Sequence, residues 1–150
     1  MKQIISISAC LILLACSHKD VIDVIHYTPD ISNIHDPITT IKDTLEQQPP
    51  AYAYVPARVE VTDKFIKLYL VESGILSKFI GGGRIVPTIL YYKNLGVPKL
   101  GRSMNPSIWH VEIYDKFGND LYWVYTQEEN EAKEFLNALY YMIKKVNVNQ

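Results

Sequence analysis

Several groups of residues in this chain have types and spacings that could do chemistry. His110 and Glu112 stand two apart in the run IWHVEIY. That spacing puts both on one face of a strand, where an imidazole and a carboxylate can act as a proton-transfer pair. A cross-strand surface pair is the commoner outcome, and no nucleophile accompanies them. Gly81, Gly82 and Gly83, followed by Arg84, could form an anion-binding nest of backbone N–H groups. No lysine-threonine pair follows and no helix begins there, so a flexible strand connection is expected instead of a nucleotide loop. Asp115, Asn119 and Asp120 offer oxygens to a calcium ion but lack the loop with a terminal bidentate glutamate, and turn chemistry accounts for them. Glu128, Glu129, Glu131 and Glu134 read as a solvated helix face near the positive end of a helix dipole. His18, His26 and His35 are scattered. Cys10 and Cys16, the two cysteines, both precede any domain, so they supply neither a disulfide framework, nor a zinc site, nor a catalytic thiol. The residues thus point to a protein that is not an enzyme and holds no metal and no cofactor.

Aromatic content is the least ordinary feature, with eleven tyrosines and two tryptophans. Tyr91-Tyr92, Tyr122-Trp123 and Tyr140-Tyr141 are adjacent pairs, and adjacent residues of a strand face opposite ways. One member of each strand pair therefore points outward, which makes Tyr91, Tyr92, Tyr122 and Trp123 the candidate partner-binding residues. Exposed Tyr and Trp are rigid contact surfaces at protein interfaces and also stack on sugar rings. The plainer alternative is that their rings cap the core while their hydroxyls stay wet.

The elements that carry these residues can be read from period and punctuation. Residues 108–114 and 121–125 (LYWVY) are strands, joined through Gly118, whose freedom at positive φ suits a short loop. Thr126 and Glu129 stand at the spacing of a capping box. Ala132, Phe135, Leu136, Leu139, Met142 and Ile143 then form one apolar helical stripe, with glutamates early and Lys144 and Lys145 late, as the helix dipole favours. Upstream, Asp36 and Pro37 can cap and start a short helix whose face is Ile38, Ile41 and Leu45. Residues 58–62 and 65–71 make a second hairpin, 72–84 a long connection, and 88–92 and 97–100 two more short strands. Pro98 demotes the last of these to an edge or a bulge, and 101–106 is a loop. Successive strands without helices between them form an antiparallel sheet.

Composition limits the partners. A chain of 150 residues, 48% hydrophobic and 21% charged, fits one globular domain. Its formal charge of −1 gives no basic excess for a nucleic acid.

Residues 1–15 have the layout of a secretory signal: Lys2, then a short apolar run too brief to span a bilayer. Leu13-Leu14-Ala15-Cys16 resembles a bacterial lipobox. The resemblance implies cleavage after Ala15, with the Cys16 thiol carrying a diacylglycerol and its new amino group acylated, for example with palmitate. Several acyl chains, at about 0.8 kcal/mol per buried CH₂, hold a protein at a bilayer stably. Processing would leave 135 residues and, with Lys2 gone, a formal charge of −2. Ser17 in place of aspartate resembles outer-membrane sorting, which implies an envelope lipoprotein facing the periplasm.

The closing pattern of aromatic strand pair, Asp115-Lys116-Phe117-Gly118 turn and helix resembles a pleckstrin-homology-like domain. That implies an α+β, mainly β fold: an antiparallel barrel or strongly curved sheet of six or seven strands, stoppered by a C-terminal amphipathic helix, with a short N-terminal helix. The expected organisation is signal peptide 1–15, flexible tether 16–36, helix 37–50, PH-like domain 51–146 and tail 147–150. Lys64, Lys67, Lys78 and Arg84 do not reproduce the phosphoinositide-binding spacing of that fold, so that activity is not inferred. The expected function is a lipid-anchored protein-interaction module, attached to the membrane through Cys16 and bound to an envelope protein. The alternative is a small-ligand or glycan binder using the same aromatics.

Overall fold

The computed structural model describes residues 23–49, 55–72, 84–103 and 108–148. Cys16, the signal peptide, the triple glycine 81–83 and the tail's last two residues lie outside the described residues. The elements in chain order are β1 (Asp23–Ile25), α1 (Pro37–Glu46), β2 (Arg58–Val61), β3 (Phe65–Glu72), β4 (Arg84–Tyr91), a 3₁₀ turn (Tyr92–Asn94), β5 (Lys99–Arg102), β6 (Trp109–Tyr114), β7 (Asp120–Thr126) and α2 (Glu129–Val148). The fold is α+β and mainly β, built of two antiparallel sheets: β1-β5-β6-β7 and β2-β3-β4. No hydrogen-bonded strand pair joins the two sheets among the described residues, so the ladders do not close into a barrel.

Local chemistry explains most boundaries. Asp36 caps α1 by accepting from the Thr39 N–H at 3.1 Å, and Pro37 follows at the first helical position. Thr62 closes the β2-β3 turn, its hydroxyl oxygen accepting from the Lys64 and Phe65 N–H groups at 3.2 and 3.1 Å. Asp115 organises the β6-β7 turn by accepting from the N–H groups of Phe117 and Asn119 at 2.8 and 2.9 Å, while Gly118 takes φ +84°.

Four expectations need correction. The span 16–36 is not flexible throughout: β1 pairs with β5, and the Asp30 N–H and Tyr27 hydroxyl both donate to Asn137 Oδ1 on α2. The fourth strand starts at Arg84, ahead of Thr88, because Pro87 can sit in it. Tyr69 turns its backbone towards β2, where its carbonyl accepts from the Ala57 N–H at 2.8 Å. In an antiparallel ladder its opposite number on β4, Pro87, then points away from β3 and needs no N–H. The fifth strand is displaced past Pro98 to Lys99–Arg102, so Gly101 lies in a strand and not in a loop. The capping box does not form: the Thr126 hydroxyl, in β7, donates to the Glu128 carbonyl at 2.9 Å, and that carbonyl also accepts from the Ala132 N–H.

The core lies between the sheets and the helices. α2 buries Ala132, Phe135, Leu136, Ala138, Leu139, Met142 and Ile143, and α1 adds Ile41 and Leu45. Val59, Ile66, Leu68 and Leu90 contribute from one sheet, and Leu100, Val111, Ile113 and Val124 from the other, in one cluster. Apart from the two alanines, each such side chain contributes about 1.5–3 kcal/mol on burial.

Candidate functional site

His110, Glu112 and Tyr114 alternate along β6 and share the face opposite the α2-packed residues Val111 and Ile113. Across the ladder, Gly101 and Tyr125 flank His110, while Lys99 and Trp123 flank Glu112. The Tyr114 hydroxyl donates to Glu112 Oε2, and His110 Nε2 lies 3.2 Å from Glu112 Oε1. The imidazole stacks on Trp123 at 5.2 Å between centroids and 11° between planes, and touches Tyr125 at 5.9 Å. It lies so close over β5 that a Cβ on Gly101 would fall 2.2 Å from Nε2.

This row is not a surface pair. His110 is 1% exposed and Glu112 4%. Burial pushes the imidazole below its ordinary pKa, and the Glu112 carboxylate opposes that shift without cancelling it. A neutral ring facing a carboxylate carries its proton on Nε2, which leaves the Nδ1 lone pair buried and without a partner among the described residues. Burial first, and then Glu112, raises the Tyr114 phenol above its ordinary range. The Lys99 amino group sits 4.6 Å above the Tyr114 ring, bringing a positive charge towards the row. The parts of an acid–base pair are therefore assembled but closed to solvent, and the network ties β5, β6 and β7 together from their outer face.

The sequence shows His110 and Glu112 on one face. Gly101 and Trp123 escape it, because their roles depend on cross-strand register. A glycine in a strand is the one local signal of such a close approach.

The four candidate aromatics occupy different environments. Tyr91 is 42% exposed and meets Phe65 edge-on at 5.9 Å. Tyr92 is fully buried, burial raises its pKa, and it offers no surface to a partner. Tyr122 packs on the core and its hydroxyl accepts from Gln48 Nε2 at 3.3 Å. Trp123 is half-buried, and its indole N–H donates to Asp120 Oδ2 at 2.6 Å. The four do not form one platform.

A different apolar surface takes its place. On the outer face of β3-β4, register places Val71 against Ile85, Tyr69 against Pro87, Lys67 against Ile89 and Phe65 against Tyr91. Val71, Ile85, Ile89 and Tyr91 are each between 42 and 54% exposed, and Phe117, at the β6-β7 turn, is 92% exposed. A groove of about 530 Å³ runs between the end of β4 and that turn, lined among others by Ile89, Tyr91, Leu95, Phe117 and Leu121.

Among the described residues no cluster of histidine, cysteine and carboxylate side chains is placed to hold a metal ion. No protein-family model matches the chain, and neither a curated protein nor a solved structure is significantly similar to it.

Proposed function

We propose that this protein is a lipid-anchored, non-catalytic interaction module of the bacterial envelope, held through Cys16 at the outer membrane and facing the periplasm. The observation that carries the interaction reading is the band of Val71, Ile85, Ile89 and Tyr91, continued by Phe117. Exposed apolar residues gathered on one sheet face mark a protein contact more often than scattered single residues do, and here Arg58 and Lys67 lie over the intervening Tyr69 ring. The sequence of a β2-β3-β4 meander, a β5-β6-β7 meander and a packed C-terminal helix supports a PH-like assignment. Such a module presents its sheet faces and loops and needs no reaction centre.

The anchor reading rests on the lipobox-like residues around Cys16, and the position of β1 adds a geometric consequence. Asp23 follows Cys16 by seven residues, and a chain of that length spans at most about 25 Å fully extended. An acylated Cys16 would hold the folded domain within that distance of the lipid, so its partner would be a membrane protein or lie close to the surface. The glycan alternative draws less support, since Tyr92 is buried and Tyr122 is turned to Gln48.

Photo-crosslinking in intact cells tests the interaction reading. A photoreactive residue at Ile85 is expected to give a discrete adduct with one envelope protein, and the same residue at Lys144, on exposed α2 surface, is expected to give none. Equal adducts from both positions, or none from either, would contradict the proposal.

A further inference from the structure

The apolar band narrows to a specific feature at the edge of β4. The two sheets have four outer edges, and they are not alike. At β7 Gln48 covers one end of the edge, its Oε1 accepting the Tyr125 N–H at 3.1 Å, and α1 packs beside it. At β2 the outer strand is four residues long and α1 lies against it; at β1 the described part of the outer strand has three residues. β4 is eight residues long and has no partner on its far side among the described residues.

Backbone alternation determines what that edge offers. Residues 66, 68 and 70 of β3 face β4, so Val86, Thr88 and Leu90 spend their backbone groups on β3. Ile85, Pro87, Ile89 and Tyr91 turn theirs outward. Pro87 has no N–H and interrupts the first half, as proline does on edges protected from sheet-to-sheet pairing. Ile89 and Tyr91 therefore form the usable window, and both are among the residues that line the groove.

The rim of the groove is charged. Lys93 and Lys116 both line it, and neither has a carboxylate partner among the described residues. The Lys116 amino group donates to the amide oxygen of Asn147 at 3.4 Å. The nearby Asp115 is turned into its own loop, where three donors from Phe117 and Asn119 hold its pKa below the ordinary carboxylate range.

We infer that this window and groove dock an extended peptide segment of the partner, apolar on alternate residues and acidic where it passes Lys93 and Lys116. The segment would add a strand to β4 through the Ile89 and Tyr91 backbone groups, place apolar side chains against Phe117 and Leu121, and set a carboxylate near the two amines. This rests on the interaction-module reading and names the partner's chemistry.

The probe is a blocked eight-residue peptide of alternating valine and threonine ending in two aspartates, titrated into isotope-labelled full-length protein in detergent micelles. Saturable amide shifts are expected at Ile89 and Tyr91, with affinity about tenfold weaker when lysines replace the aspartates and lost when alternate peptide nitrogens are methylated. Lys93→Glu combined with Lys116→Glu, both at exposed positions, should reverse the charge preference. Shifts elsewhere only, or an affinity blind to charge and to methylation, would overturn the inference. So would peptide-free, concentration-dependent shifts at Ile89, which would mean that a second copy occupies the edge. An Ile85 crosslink in cells without peptide binding at Ile89 would overturn the edge alone. Absence of any crosslink would overturn the module itself.

Discussion

The imidazole of His110 lies against Gly101 and fills the space that a Cβ would need, with Nε2 the nearest ring atom. Gly101→Ala forces the ring off Glu112 and Trp123 or pushes β5 from β6, and overpacking of this kind costs about 1–3 kcal/mol. Denaturant melts should show that loss. In a His110→Ala background the same substitution should cost much less, giving a coupling in the double-mutant cycle. An equal cost in both backgrounds would place the role of Gly101 elsewhere.

Acid should weaken the fold through the same residue. Burial lowers the His110 pKa in the folded state, with Glu112 and Tyr114 on β6 and Lys99 on β5 as its charged and titratable neighbours. The unfolded chain binds this proton first, near pH 6.5, so the contribution is whole above about pH 6.5 and is lost as pH falls through the folded pKa. Unfolding free energy should therefore decline between pH 7 and 5 by up to about 1.4 kcal/mol per pH unit from this group. His110→Gln should flatten that window; an unchanged slope would show that other groups set it.

Gln48 is the clasp between the end of α1 and β7, accepting from the Tyr125 N–H and donating to the Leu45 carbonyl and the Tyr122 hydroxyl. Gln48→Ala removes all three contacts and should cost about 1–3 kcal/mol. Amide hydrogen exchange should quicken at Tyr125 before it does so at Val111 in the centre of the sheet.

An acyl anchor at Cys16, as proposed, would be visible in cells. Cells fed labelled palmitate should incorporate it into the wild-type protein and not into Cys16→Ser, which should also leave the membrane fraction or persist as precursor. Label retained in Cys16→Ser would contradict an anchor at that residue.

Elements with a strong internal period were legible from the sequence. The apolar stripe of α2 matches its buried face at Ala132, Phe135, Leu136, Leu139, Met142 and Ile143. The β6-β7 hairpin is set by Gly118 and the donors around Asp115. What the sequence hid depends on neighbours distant in the chain. Alternation in IWHVEIY suggests one wet face, yet His110 and Glu112 are covered by side chains from β5 and β7. Adjacency shows that one of Tyr91 and Tyr92 faces out but not which; Tyr92 falls on the inward face of Leu90 and is buried in the core, while Tyr91 is exposed. The exposed band on β4 does not show in the sequence, where a connection over 72–84 and a strand over 88–92 leave Ile85, Val86 and Pro87 unassigned until their register with β3 is known.

The central claim is that the apolar band meets a protein partner, and the most direct measurement separates binding from folding. Ile85→Thr combined with Ile89→Thr keeps β-branched residues in an exposed strand and should move the melting point little. The yield of the adduct formed in cells from a photoreactive residue at Tyr91 should fall by about tenfold or more in that variant. An undiminished adduct with the fold intact would contradict the account.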